Sequence, residues 1–276
     1  MQKMLSAEEQ QAFVERGKEL RRRILKMLTK AGSGHPGGSL SAIDLLMVLF
    51  DRVLKHDPKN PKWEGRDRFV LSKGHGCPAL YVMLADHGYF PAEELDRLRL
   101  LGAMLQGHPD MRFLPALEIG TGSLGQGISV AVGLAIAGKL KGTDHKVFCL
   151  CGDGEVDEGI VWEASLLAPQ RHLDNLVCMV DRNGVQQCSK TSDILTTDPL
   201  APKWEAFGWT TYEIDGHDYD EILWALQPER IVAGKPTMIV ARTHKGQGVS
   251  FMMGSPDFHG KAPTPEELEL ALAELA

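Results

Sequence analysis

The sequence predicts an α/β fold in which one doubly wound, mostly parallel sheet is covered by helices on both faces. Two observations predict this fold. The strand candidates are continuous apolar or β-branched runs, which is typical of parallel strands buried on both sides. They alternate with helical stretches of about ten or more residues, the pattern of strand–helix–strand units. No repeat, low-complexity tract or linker interrupts the pattern, so we expect a single domain over residues 1–276.

The N-terminal half is predicted to be mainly helical. Ser6 and Glu9 form a capping-box pattern ahead of apolar residues at helical spacing. We expect this first helix to stop in the glycine-rich segment 31–39, because glycine and proline do not continue a helix. The elements predicted after it are a helix over Ser41 to Leu54, a polar loop, a short strand at 68–72, a helical stretch around 91–101 and a Gly/Ala-rich helix at 128–140.

The C-terminal half alternates between strands and helices. The chain closes with a helix that has Thr264 as its N-cap, Pro265 in first position and Glu267 completing a capping box. The predicted strands are 147–151, 176–181, 210–214 and 237–241, and the predicted helices between them are about 155–168, 199–208 and 221–227.

Composition argues against several function classes. The net charge of −7 and the pI near 5.8 leave no global basic surface, so we expect neither nucleic acid nor an anionic membrane as the main partner. The five cysteines are an odd number and three lie in apolar runs, which predicts free thiols in a reducing compartment. The N-terminus lacks the apolar core of a signal peptide. We therefore expect a cytoplasmic protein.

A metal site is predicted where two neighbouring strands end. Asp153 follows strand 147–151 within Gly-Asp-Gly, and Asn183 follows strand 176–181 within Asn-Gly. A right-handed strand–helix–strand unit returns the second strand parallel to the first, so both side chains emerge at the same carboxyl edge. Carboxylate and amide oxygens are hard ligands that suit Mg²⁺ and a bound phosphate. The alternative is that both motifs are ordinary turns, which the strand placement disfavours.

Four histidines share a local pattern, because each lies in a loop beside glycine: His35, His75, His108 and His259. Imidazole can accept or donate a proton near neutral pH, which suits general acid–base catalysis. The alternative for each is a solvated surface histidine. Lys73 and Lys245 flank two histidine-bearing loops and could meet a phosphate as point charges. For the lysines we favour surface exposure.

Residues 120–125 spell G-x-G-x-x-G ahead of a helix, which raises the alternative of an NAD-dependent oxidoreductase. That fingerprint requires a strand directly before it. The preceding RFLPALEI carries Pro115 inside a poor strand pattern. The dinucleotide interpretation is therefore disfavoured.

Segments along essentially the whole chain resemble the transketolases, a family of thiamine-diphosphate enzymes, in family order. The region from Gly152 to Gly184 resembles the GDG…N signature of those enzymes. The other matching segments are GSGHPGGSLSAIDLL, DRFVLSKGHGCPALY, QGHPD, TGSLGQGIS, EAFGW, DGHD, THKGQGVSF and DFHGKAP. As a set they are highly specific.

The resemblance implies a role for each matched residue. Mg²⁺ would be held by Asp153, Asn183 and the backbone carbonyl of Val185. The diphosphate would lie near Gly154, His75 and His259, with Lys245 as a further candidate, and Gly122 and Leu124 would line the aminopyrimidine. His35 and His108 would face the sugar, so that all four histidines are catalytic candidates. Val185 and Gln187 stand where larger aliphatic residues are common in the family.

The resemblance also implies a partner. Full transketolases join this domain to a pyrimidine-binding domain and a C-terminal domain, and this chain stops before either. It looks like the N-terminal subunit of a two-chain, α2β2 transketolase, although a truncated piece would look the same. The family's catalytic glutamate belongs to the absent part. Glu158 and Glu163 match acids that link active sites across a subunit interface, with a solvated pair as the alternative.

The implied reaction moves a two-carbon ketol unit from a ketose phosphate to an aldose acceptor. Pentose phosphates are the default substrates, with a sulfosugar or a branched sugar as alternatives. A catalytically silent subunit that keeps the cofactor fold is the second rival. The presence of Asp153, Asn183 and the four loop histidines argues against it.

Overall fold

The computed structural model describes residues 3–276. A five-stranded sheet with the order β1-β2-β3-β5-β4 forms its centre, and every neighbouring pair of strands is parallel. The strands are β1 (Arg68–Leu71), β2 (Val147–Gly152), β3 (Leu176–Arg182), β4 (Thr210–Asp215) and β5 (Thr237–Arg242). The predicted parallel α/β fold is confirmed.

Helices cover both faces of this sheet. The α-helices are α1 (Ala7–Ala31), α2 (Pro36–Val48), α3 (Cys77–Asp86), α4 (Gln126–Lys141), α5 (Gly159–Gln170), α6 (Thr191–Ile194), α7 (Ala201–Phe207), α8 (Tyr219–Ala225) and α9 (Pro265–Glu274). Both predicted capping boxes form, at Ser6 with Glu9 and at Thr264 with Glu267. Across residues 3–276 no helix combines the length and the apolar character needed to span a bilayer.

Alternate strand residues point to opposite faces and build two separate cores. Phe148 and Leu150 of β2 belong to the larger core, together with buried residues of α1, α2, α3 and α8. Val147 and Cys149 of the same strand belong to the smaller core, with buried residues of α4, α5 and α7. Strands flanked by apolar layers on both sides explain the unbroken apolar runs in the sequence.

The glycine-rich segment is the first place where the expectation was wrong. We expected helix two to begin at Ser41, but α2 begins at Pro36 and includes the following glycines. Proline suits the first helical turn because its missing N–H needs no partner there. Gly37 is required by close packing, since a Cβ at this position would lie 3.0 Å from the carbonyl oxygen of Phe258. The helix ends at Val48 and continues as one turn of π-helix, Leu49–Val53.

Two other elements differ from the expectation. The helix α3 was not predicted, because it is apolar around its whole circumference and nearly all buried, and such a helix shows no amphipathic period. The helical stretch expected around 91–101 is only a 3₁₀-helix, Ala92–Arg97, followed by turns. The four-residue helix α6 lies in a segment that we expected to be loop.

Candidate active site

The carboxyl edge of the sheet carries a cavity of about 390 Å³. It lies where β2 and β3 end side by side, with Gly152 paired to Asp181 across the two strands. All the site residues predicted from the sequence line this one cavity: His35, His75, His108, Gly122, Leu124, Asp153, Gly154, Asn183, Val185, Lys245 and His259. The topology therefore brings together loops that are far apart in the sequence.

Asp153 is a buried carboxylate of this cavity, with 4% of its surface exposed. Its Oδ1 accepts the backbone N–H of Gly154 at 2.9 Å, and its Oδ2 accepts that of Gly184 at 2.6 Å. Burial, with a further contribution from the nearby Asp181 carboxylate, raises the pKa of Asp153 to about 6. A cation at this carboxylate would offset both effects and favour its charged form.

The oxygen atoms around Asp153 fit a magnesium ion. Asn183 Oδ1 accepts the N–H of Val185 at 3.1 Å and keeps a second lone pair. The Val185 carbonyl lies in the same loop and accepts a hydrogen bond from Lys245 Nζ at 3.0 Å. One carboxylate with an amide and a carbonyl oxygen is a hard, oxygen-only donor set. Within residues 3–276 no cluster of three or more His, Cys, Asp or Glu side chains could hold a metal instead.

The four glycine-flanked histidines gather around His35. Its ring centroid lies 5.5 Å from that of His75, 5.9 Å from His108 and 5.3 Å from His259. Burial, followed by the charge of His259, lowers the pKa of His35 to about 4. Burial also lowers the pKa of His259 to about 4 and that of His75 well below its usual value. At neutral pH these three rings are therefore neutral.

One polar atom of this cluster has no hydrogen-bond partner among residues 3–276. The Nδ1 of His35 is buried and makes no hydrogen bond. Buried polar atoms in folded proteins are nearly always hydrogen-bonded, so this nitrogen is an exception.

The two lysines are buried, so our preference for surface lysines was wrong. Lys73 is 1% exposed and Lys245 is 2% exposed. Lys73 forms an ion pair with Asp181 and donates to the carbonyl oxygen of Gly38 at 3.0 Å. Lys245 Nζ lies 3.0 Å from His259 Nδ1, and burial together with the charge of Lys73 lowers the pKa of Lys245 to about 8. Both ammonium groups line the cavity.

Sequence reasoning missed two buried acidic residues at this site, Asp181 and Glu155, of which Glu155 lines the cavity. Asp181 is fully buried, and it accepts hydrogen bonds from Ser41 Oγ at 2.6 Å and from the Thr243 hydroxyl. Although burial alone would raise the pKa of Asp181, Lys73 holds it below its usual value. Glu155 accepts the N–H groups of Gly125 and Gly152 at 2.8 and 3.0 Å. Glu155 stands directly after Gly-Asp-Gly, which was the one sequence signal for it.

The G-x-G-x-x-G segment does not form a dinucleotide fingerprint. Residues 111–125 are turns and irregular backbone, with no strand before Gly120. Gly122 has φ 135° and lets the backbone approach His108, because a Cβ there would lie 3.0 Å from the imidazole ring. The segment is a wall of the cavity, and the NAD-dependent alternative lacks its structural context.

The rim of the cavity holds the remaining candidates. Glu158 lines the cavity and immediately precedes α5, whereas Glu163 is exposed on α5 and lies outside it. A shallow recess adjoins the cavity through His35 and His259. Cys188 lines the recess and is exposed. All five cysteines are free thiols, and the other four are buried: Cys77, Cys149, Cys151 and Cys178.

Residues 14–275 match the family model described as "Transketolase, thiamine diphosphate binding domain". The chain is 46% identical over 256 residues to the 6-deoxy-6-sulfo-D-fructose transketolase subunit SqwG of Clostridium sp. (strain MSTE9), covering 93% of each protein. It is 44% identical over 264 residues to a protein of Actinobacillus succinogenes that is named as one subunit of an apulose-4-phosphate transketolase, covering 94% of each.

Solved structures of transketolases superpose closely on this chain. The transketolase of Campylobacter jejuni superposes with a TM-score of 0.90 at 37% sequence identity, over 96% of this chain and 43% of that one. The transketolase of Leishmania mexicana superposes with a TM-score of 0.89 at 34% identity, over 95% of this chain and 41% of that one. This chain thus corresponds to one part of the single-chain proteins and to nearly the full length of the proteins named as subunits.

Proposed function

Because the chain belongs to the transketolase family, of which it carries the thiamine diphosphate-binding domain, we propose that it is the N-terminal subunit of a two-chain transketolase. The proposed reaction is the Mg²⁺-dependent transfer of a two-carbon ketol unit from a ketose phosphate to an aldose acceptor. One observation carries the proposal: the cavity at the sheet edge unites the predicted metal, diphosphate and sugar residues. We further propose that residues 1–276 form one domain and work in the cytoplasm.

The proposed cofactor site uses three oxygen atoms and the groups around them. Asp153, Asn183 and the Val185 carbonyl would hold Mg²⁺. The diphosphate would meet His75, Gly154, Lys245 and His259, while Gly122 and Leu124 would line the aminopyrimidine. Two buried ammonium groups beside the cavity support an anionic occupant. When bound, thiamine diphosphate supplies the electron sink needed to cleave the bond next to a ketose carbonyl.

The histidines would do the proton chemistry on the sugar. His35 and His108 are proposed to face its hydroxyl and carbonyl groups, where a neutral imidazole can take a hydroxyl proton and return it later. Burial lowers the pKa of both rings, which supports the neutral form at neutral pH.

The sugar itself is proposed only as a class. The two relatives of similar length are named for 6-deoxy-6-sulfo-D-fructose and apulose-4-phosphate, an anionic sulfosugar and a branched-sugar phosphate. We propose an anionic ketose as donor, and a test panel should contain both of these types beside pentose phosphates.

A separate C-terminal subunit is proposed to complete the site, in an α2β2 assembly. The relatives that match over 91–94% of their own length are named as subunits, which supports this partner. An exposed apolar surface on α5 also supports it, with Leu166 at 55% and Leu167 at 40% exposure. This helix starts beside Glu158 at the cavity rim, so a partner seated on it would reach the site.

Ketol transfer by the purified chain, with and without its copurifying partner, tests the proposal. We expect negligible activity from the chain alone, and activity that requires thiamine diphosphate and Mg²⁺ once the partner is added. Ketol transfer by the highly purified chain alone would contradict the two-chain arrangement. Complete inactivity of the assembled complex on the whole sugar panel would instead support a silent cofactor-binding subunit.

A further inference from the structure

A buried polar cluster lies outside the cavity, between α1, α2 and the loop before α8. At its centre is Asp44, with 2% of its surface exposed. Arg21 donates to both of its carboxylate oxygens, at 3.1 and 2.6 Å. The Tyr219 hydroxyl donates at 3.1 Å, and His217 Nδ1 lies 2.7 Å away. So many polar groups in the protein interior need a reason, because burying them is costly unless all are satisfied.

His217 connects this cluster to the loop after β5. The Asp44 carboxylate can only accept, so His217 Nδ1 carries the hydrogen, and Nε2 is left free to accept. Its Nε2 accepts the backbone N–H of His244 at 2.9 Å. Arg21 reaches the same loop from the other side, with Nε donating to the Gln247 carbonyl oxygen at 3.0 Å. The cluster therefore forms hydrogen bonds with the loop on both sides of Lys245, at His244 and at Gln247.

The backbone around Lys245 must be held in place, because the position of its ammonium group is electrostatically unfavourable. Its side chain is buried, and it lines the same cavity as a second buried lysine, Lys73. The backbone around it is also adaptable, with Gly246 at φ 76° and Gly248 at φ 90°. Without fixed neighbours the loop could relieve the repulsion by moving the ammonium toward water.

We infer that Asp44 and His217 are positioning residues for Lys245: they fix the backbone of residues 244–247 so that its ammonium stays at the cavity wall. There the ammonium meets the Val185 and Gln186 carbonyl oxygens and His259 Nδ1, all within 3.0–3.1 Å. This inference deepens the proposed function, on which it rests, because an ordered Lys245 would present its charge to the diphosphate.

Two substitutions of His217 separate its two hydrogen bonds. Asparagine places an amide near the position of Nδ1, so His217→Asn keeps a donor for Asp44 and loses the acceptor for His244. Glutamine places an amide near the position of Nε2, so His217→Gln keeps the acceptor and loses the donor. The control is His172→Asn, an exposed histidine near the amino end of β3, with φ 53°, a conformation that asparagine tolerates.

The chain and its variants should be compared by hydrogen exchange of the amides in 243–248 and by thermal unfolding, and then, assembled with the partner subunit, by titration with thiamine diphosphate in excess Mg²⁺. We expect His217→Asn to speed exchange in this segment about tenfold, the factor for one net hydrogen bond, and to weaken cofactor binding. His217→Gln should raise exchange and weaken binding less than His217→Asn does, because it keeps the acceptor for His244, although losing the hydrogen bond to Asp44 lowers its melting temperature.

The comparison of the two variants decides the inference. Exchange that rises equally in both, in step with the loss of thermal stability, would show a purely structural cluster and overturn it. Unchanged exchange in His217→Asn would overturn it as well. Failure of the wild-type chain, assembled with its partner, to bind thiamine diphosphate would count against the proposed function, while the exchange measurement would still decide whether His217 orders the loop.

Discussion

Asp153 and Gly184 are joined across two loops, because the Asp153 Oδ2 accepts the backbone N–H of Gly184 at 2.6 Å. Asp153 follows β2, and Gly184 follows β3 with a left-handed backbone, φ 76°. One carboxylate thus organises both loops of the proposed metal site before any ion arrives. Its substitution therefore has two separable consequences, one for the fold and one for ligand binding.

Asp153→Ala should remove Mg²⁺-dependent binding of thiamine diphosphate while the chain stays folded. We expect the affinity to fall by more than the roughly 10- to 100-fold that follows loss of an outer-sphere partner. Two backbone N–H groups lose their acceptor, so unfolding should become easier by about 1–3 kcal/mol. Calorimetric titration with and without Mg²⁺, beside circular dichroism, measures both. Asp157→Asn is the control, since Asp157 lines the same cavity; normal metal-dependent binding by Asp153→Ala would refute the site.

Alanine substitutions of His108 and His259 should impair different properties of the assembled complex, turnover in one case and cofactor binding in the other. We expect His108→Ala to lower turnover by about 10²–10⁴-fold or to raise the donor KM, because it removes acid–base help on the sugar. His259→Ala should weaken cofactor binding more, because it removes a partner of Lys245 beside the proposed diphosphate position. Cofactor Kd and steady-state constants at fixed Mg²⁺ separate the two. Identical profiles would show that these roles are misassigned.

Lys73→Met should strongly destabilise the chain, because Asp181 would remain charged and unpaired in the interior. Breaking a buried ion pair from one side typically costs about 3–5 kcal/mol. The double variant Lys73→Met/Asp181→Asn should recover part of that loss, since asparagine carries no charge and still accepts from Ser41. Urea unfolding of both variants gives the comparison. A double variant less stable than the single one would contradict the pairing.

Stability should fall as the pH drops from about 6.5 toward 4, and His35 and His259 should contribute to this. Burial lowers the pKa of both to about 4 in the folded chain, against 6.5 for the ordinary side chain. Between these values the unfolded chain binds protons that the native chain does not, so acid favours unfolding. Above about 6.5 neither histidine contributes.

The raised pKa of Asp153, about 6 against the ordinary 3.8, has the opposite effect on stability. Between these two pH values the native chain binds a proton that the unfolded chain does not, so acid favours the folded state there. The test is therefore a difference between variants: His35→Gln or His259→Gln should show a flatter pH dependence of the free energy of unfolding than the wild-type chain. His172→Gln, at an exposed site, should leave the slope unchanged. Parallel curves for all four proteins would refute the neutral-histidine assignment.

Leu166→Glu should impair assembly with the partner subunit without unfolding the chain. Leu166 is 55% exposed on α5, so a charge there costs little in the free chain and much in an apolar interface. Val232→Glu is the matched control, because Val232 is 43% exposed in the loop before β5. Size-exclusion chromatography of mixtures with the partner measures assembly. Equal assembly by both variants would exclude this face of α5.

The proposed metal site could be predicted from the sequence because its geometry follows from local order. Asp153 and Asn183 each stand just beyond a strand, and one strand–helix–strand unit brings both to the same edge. The helix α3 gave no such signal, since it is surrounded by protein and has no polar face to mark its period.

The burial of charged residues, like the helix α3, could not be predicted from the sequence. Lys73 meets Asp181 across 108 positions, and Asp44 meets His217 across 173. No local pattern connects residues so far apart, and a lysine beside a loop looks the same whether or not an acid lies beneath it. The pairing of β1, β2 and β3 in one sheet brings the first two partners together, and the packing of α2 against α8 brings the second two together.

The uneven exposure of the cysteines makes the chain convenient for fluorescence work. Four thiols are buried, while Cys188 is exposed in the recess that His35 and His259 also line. A maleimide dye added to the native, isolated chain should therefore attach at Cys188 without any prior mutation. The dye would sit at the mouth of the cavity, and its emission would report ligand entry in real time.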